Sequence, residues 1–136
     1  MAITTTITQA ELARVAAAAY EGKTYRISLA NNGTTGLTAL STVSAWDAKK
    51  LSGNGYADVT GTIATGAYDA TDARFEMPQI SALFTANGAN WTYDTVYVVL
   101  DTGSSATLHS IIVEAPAVIL VDGGSITYRI TFATDD

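Results

Sequence analysis

The sequence predicts an all-β fold: an antiparallel β-sandwich or jelly-roll-like barrel of about seven or eight short strands behind one short N-terminal helix. Three observations carry that expectation. Apolar residues recur with period two from Tyr25 onward, as in Tyr25, Ile27 and Leu29 against Thr24, Arg26 and Ser28. Clusters of Gly, Asn and Asp punctuate the sequence at intervals of about ten residues, the spacing of short strands joined by turns. Before Gly22 the period is helical instead.

The helix runs from Thr8 to Tyr20. Thr8 and Glu11 form a capping box, in which the threonine oxygen accepts from the N3 amide and the glutamate reaches back. Leu12, Val15, Ala16 and Ala19 share one face, and Gly22 is placed to end the helix in a left-handed conformation. That face is built of small residues, suited to lie close on a sheet or on a neighbouring subunit. Ahead of it, Ala2 to Ile7 forms a polar arm that spans ~20 Å if extended.

The strands follow in order. Tyr25–Leu29 is half-buried, and Asn31 to Gly36 is a turn. Residues 37–50 are irregular or a short strand around one large anchor, Trp46. Tyr56 to Ile63 is a thin strand. Ala73, Phe75 and Met77 alternate in the next, which Pro78 stops or bends, and Gln79 to Thr85 continues it. Thr92 to Asp101 is apolar on both faces and is expected at the centre of a sheet. Thr107 to Glu114 behaves similarly. The last element is a hairpin, Ala117–Val121 and Ile126–Phe132 about the Asp122-Gly123-Gly124 turn.

The bulk composition narrows the function. A length of 136 residues fits one domain, with residues 1–22 as arm and helix and 23–136 as the β domain. The net charge is −6, and the seven Lys and Arg residues are scattered, so nucleic acid and anionic lipid are repelled. With no cysteine, disulfides and cysteine-ligated metals are excluded. Met1 to Thr6 lacks the basic and apolar regions of a signal peptide, and the longest apolar runs are too short to span a bilayer as a helix. Charged residues are 15%, against a usual ~25%, and Thr, Ala and Gly fill the gap. A surface of small neutral residues suits close contact with neighbouring subunits, or is simply a compositional bias.

Catalytic and metal chemistry find little to work with. His109 is the single histidine and lies in a strand pattern, and no G-x-S-x-G elbow occurs. One histidine without cysteine does not make an ordinary zinc site. Asp69 and Asp72, and Asp135-Asp136, do not match the spacing of a calcium loop and read as solvated carboxylates. Gly53-Asn54-Gly55 lacks the lysine and third glycine of a phosphate loop and reads as a tight turn. No catalytic residue, cofactor or metal is therefore expected. Trp46, Trp91 and Tyr93 are open to two readings, as carbohydrate platforms or as core and subunit contacts.

The order of these segments resembles the small structural proteins of tailed bacteriophages, the virion or tail-fibre-like group. The matching segments are the opening helix, the strand Tyr25-Arg26-Ile27-Ser28-Leu29 and the loop Leu51-Ser52-Gly53-Asn54-Gly55-Tyr56-Ala57-Asp58. The strand Trp91 to Leu100 and the closing hairpin from Ala115-Pro116 to Phe132 complete the match. Asn54 stands where that group has glycine, and Asp58 where it has a basic residue. The resemblance implies a virion protein made in the host cytoplasm. It would decorate or cement the head by binding the major capsid protein, or form part of the tail or its fibres and bind a host receptor or glycan. It also implies a homo-oligomer, a trimer being favoured. The residues expected to meet a partner are Thr8, Leu12, Val15, Trp46, Tyr56, Trp91 and Tyr93.

Overall fold

A computed structural model describes residues 7–101 and 105–135. The protein is mainly β, with antiparallel ladders and, among the described residues, two short helices. The described residues divide into two compact units: 7–23, 62–80 and 129–135 form one, and 24–61, 81–101 and 105–128 the other.

In the first unit, helix α1 (Gln9–Ala19) is capped by Thr8, whose side chain accepts from the Glu11 N–H at 3.2 Å, whereas the expected return bond to the Glu11 carboxylate is absent because that carboxylate pairs with Arg14. Gly22 has φ +75°, the left-handed stop. The helix packs on a three-stranded antiparallel sheet whose order is the strand Ala67–Asp69, then Arg74–Glu76, then Ala133–Asp135. Leu12 and Ala16 are buried there, Tyr20 lies 5.3 Å from the Phe132 ring, and Thr134 donates to the Leu12 carbonyl. Gly66 is forced by close approach, since a Cβ would meet the Glu76 carbonyl oxygen at 2.2 Å.

The second unit is organised by a four-stranded sheet. With strands numbered in chain order, β1 is Thr24–Ala30, β2 Val59–Thr62, β3 and β4 are the first two strands of the other unit, β5 is Ile80–Thr85, β6 Trp91–Asp101, β7 Ala106–Leu120, β8 Ser125–Ile130 and β9 Ala133–Asp135. The sheet order is β2-β1-β6-β7. β6 is central, as its two apolar faces require, and seven of its eleven residues are buried. Ile27 and Leu29 pair with Val98 and Val96 on one face. On the other face Trp46, Tyr97, Val99 and Ala30 form a buried cluster.

Three expectations are corrected here. The anchor segment 37–50 holds a short helix, α2 (Val43–Asp47), capped by the Thr42 side chain on the Ala45 N–H; the sequence lacked a long enough periodic run to reveal it. Thr107–Glu114 and Ala117–Val121 are one fifteen-residue strand, β7. Its continuity across Pro116 depends on a register break: Tyr93 faces Val118 and Thr95 faces Val113, so four β7 residues stand opposite Asp94 alone, and the proline need not donate to the ladder.

The closing hairpin does not form. β7 pairs with β6, whereas β8 pairs with β5, so the Asp122-Gly123-Gly124 turn leads from one sheet to another. Its neighbour is the turn from β5 to β6. Ala86 donates to the Gly124 carbonyl at 3.0 Å, Gly123 donates to the Ala86 carbonyl at 2.8 Å, and Asp122 accepts from the Gly88 N–H at 2.8 Å. A local Asp–Gly signal specifies the turn but not which strand each arm will pair with.

Candidate functional site

Four of the seven residues expected at a partner surface are interior. Leu12 is buried on the inner face of α1. Trp46 is fully buried, stacks on Tyr97 with centroids 5.7 Å apart, and donates its indole N–H to the Thr38 carbonyl. Trp91 is edge-on to Tyr56 and donates to the Asn54 carbonyl at 3.1 Å. Tyr93 is buried and shares a 2.7 Å hydrogen bond with Tyr128, which donates in turn to Glu114. The reason is general: large rings offer the most area to bury, and these rings also find partners for their polar atoms. Of the remaining three, Thr8 is exposed but serves the helix cap, Val15 is exposed, and Tyr56 is half-buried.

Tyr56 belongs to a polar cluster that sequence spacing does not reveal, because its members come from four separate segments. Asp58 accepts from Tyr56 at 2.7 Å, Ser28 at 2.9 Å and Lys50 at 2.9 Å. Arg26 forks onto both Asp47 oxygens at 3.0 and 3.2 Å, donates to Ser28, and lies over the Tyr97 ring. Tyr97 donates to Asp47 at 2.6 Å, and the Leu29 N–H donates to Tyr56 at 2.8 Å. Burial alone would raise both carboxyls. For Asp58 the hydrogen bonds from Tyr56, Lys50 and Ser28 outweigh it, and for Asp47 those from Tyr97 and Arg26, so both lie below the ordinary value. Burial, reinforced by the neighbouring carboxylates, raises Tyr56 and Tyr97 far above theirs. Each polar tip is thereby paired internally, and the cluster fastens α2 and the 50–58 loop to the sheet.

His109 occupies a second register break, since Val98 faces Ser110 and Val99 faces Leu108. Its Nδ1 lies 3.0 Å from the Ser110 hydroxyl. Asp69, Asp72 and Glu76 bring carboxylate oxygens within 4.8 Å of one another. Local bonds hold them: Asp69 accepts from the Thr71 and Asp72 N–H groups, and Arg74 pairs with Glu76.

The most distinctive surface is β7. It is an edge strand of fifteen residues with one charged side chain, Glu114, which accepts from Tyr128. Val113 is 64% exposed, Ile119 65% and Ile112 38%. Val121 just beyond the strand and Leu83 on β5 are also exposed. A long edge strand presents a row of backbone donors and acceptors ready to pair with another strand. Sequence periodicity marked these residues as strand-forming but could not mark them as an edge. No family model, curated protein or solved structure matches this protein.

Proposed function

We propose that the protein is a non-catalytic structural subunit of a tailed-bacteriophage particle, a head decoration or cement protein that binds neighbouring capsid subunits as a homo-oligomer, with a trimer favoured. The observation that carries the assembly half of this reading is β7, a long, nearly uncharged edge strand with exposed Ile112, Val113 and Ile119. Such edges are normally shortened, charged or covered. Pro116 and the register breaks interrupt this one, leaving short stretches for strand addition on either side. The negative charge supports a place away from packaged nucleic acid. The particle half rests on the resemblance in segment order.

The alternative, a tail or tail-fibre component that binds a host glycan, would need exposed aromatic rings. The interior positions of Trp46, Trp91 and Tyr93 weigh against those three as a sugar platform.

Cryo-electron microscopy of the particle tests the proposal, with density expected on the outer face of the head. Density confined to the tail would replace the cement reading with the fibre one, and absence from particles would overturn both. Light scattering on the purified protein should give an oligomer, and a monomer at high concentration would refute the homo-oligomer. The arm expected from Ala2 to Ile7 falls, but for Ile7, outside the described residues. Deleting residues 2–7 should weaken attachment to particles and leave folding intact.

A further inference from the structure

The sequence contains three Asn–Gly pairs, Asn32-Gly33, Asn54-Gly55 and Asn87-Gly88. Asn–Gly is the dipeptide most open to one spontaneous reaction. The glycine nitrogen attacks the asparagine Cγ and forms a new bond to it, and the bond from Cγ to the amide nitrogen Nδ2 breaks with release of ammonia. Water then opens the cyclic imide at either carbonyl, giving aspartate or isoaspartate. No oxidant or reductant is involved. The reaction needs the glycine N–H free to lose its proton, and the asparagine side chain free to turn toward it.

The fold treats the three pairs differently. Gly33 donates its N–H to Asp94 at 2.9 Å, and the Asn32 side chain is tied to Leu37 and Thr35. Gly88 donates to Asp122 at 2.8 Å. Both nucleophilic nitrogens are therefore occupied by charge-assisted hydrogen bonds. At the third pair the Asn54 side chain and the Gly55 N–H have no hydrogen-bond partner among the described residues. Asn54 and Asn87 are both exposed, so exposure does not separate them; the occupied N–H does.

We infer that Asn54-Gly55 is a built-in modification site, converting to aspartate and isoaspartate while the other two pairs are protected. The location gives the change a structural consequence. Gly53, Asn54 and Gly55 all have positive φ, and the Asn54 carbonyl accepts from Trp91 Nε1 and from the Asn87 N–H. Gly55 sits so close to Asn87 that a Cβ would meet its Cβ at 2.9 Å. Isoaspartate adds one atom to the backbone inside this tight turn and makes the former carbonyl a free carboxylate. The turn's hold on Trp91 must therefore rearrange.

Trypsin places the three pairs on separate peptides, residues 27–49, 51–74 and 75–129. After incubation of the folded protein at mildly alkaline pH, mass spectrometry should find amide-to-acid conversion in 51–74 about tenfold faster than in the other two, the factor that one charge-assisted hydrogen bond supplies. In denaturant the three should convert at similar rates. Asp122→Ala should free the Gly88 N–H and raise conversion at Asn87 in the folded protein. In the NMR spectrum the Trp91 indole N–H signal should move on conversion and the Trp46 signal should not. Equal rates in the folded protein, faster conversion at Asn32 or Asn87, or an unequal pattern that persists in denaturant would each overturn the inference.

Discussion

Asp58 illustrates how single residues decide this molecule. Its side chain is 17% exposed and accepts from Tyr56, Ser28 and Lys50, so its charge is distributed over three donors from three segments. Asp58→Asn turns one oxygen into a donor facing other donors, and the expected loss is about 2–3 kcal/mol, read as a shift of the urea midpoint. Trp46 is decisive for a different reason. It fills the space between α2 and β6 with no exposure, and Trp46→Ala should cost about 3–5 kcal/mol by leaving a cavity beside Tyr97. At this scale the sequence singled out the large rings and left them open as core or as contacts, and the fold buries them. Trp46, Trp91 and Tyr93 stand out because they are large, and the same size that made them candidates for a partner surface draws them into the core.

At the scale of elements, the sequence reading is strongest where periodicity is local. Helix α1, its Thr8 cap and its Gly22 stop, together with β1 and β6, lie within a residue or two of their expected bounds. It is weakest where an element is defined by its neighbour. Strands β3 and β9 have three residues each, too few to show a period, and exist through their ladders with β4. β7 shows the same dependence on the larger scale, because an edge and a central strand can carry the same alternation. Replacing Val113 and Ile119 by lysine should leave folding nearly unchanged, within about 0.5 kcal/mol per site, since both side chains face solvent. The same change should reduce self-association seen by light scattering, because lysine on an edge opposes strand addition. Unchanged oligomerisation would remove β7 from the contact.

For the molecule as a whole, pH reports the paired carboxylates. Asp47 and Asp58 lie below 3.8 in the folded protein, so the unfolded state takes up protons first as the pH falls. Their contribution is therefore complete above 3.8 and is lost as the pH drops through the lower folded values. Urea titrations across that range should show falling midpoints, with a shallower fall in Asp58→Asn. At the other extreme Tyr56, Tyr97 and Tyr128 lie above their ordinary 10.0, so stability should decline again once the pH exceeds that value.

The sequence by itself determined the mainly β character, the one long amphipathic helix with its cap, and the buried centre of β6. These follow from side-chain periodicity and backbone preference, which act over a few residues. Tertiary structure alone decided that β7 pairs with β6 while β8 pairs with β5, that the polar cluster gathers around Asp58 and Asp47, and that β7 lies at an edge. Those outcomes depend on which distant segments win each other's backbone and side-chain bonds. That competition is between segments dozens of residues apart, such as Ser28 with Asp58 or Asp47 with Tyr97, and linear spacing holds no record of it.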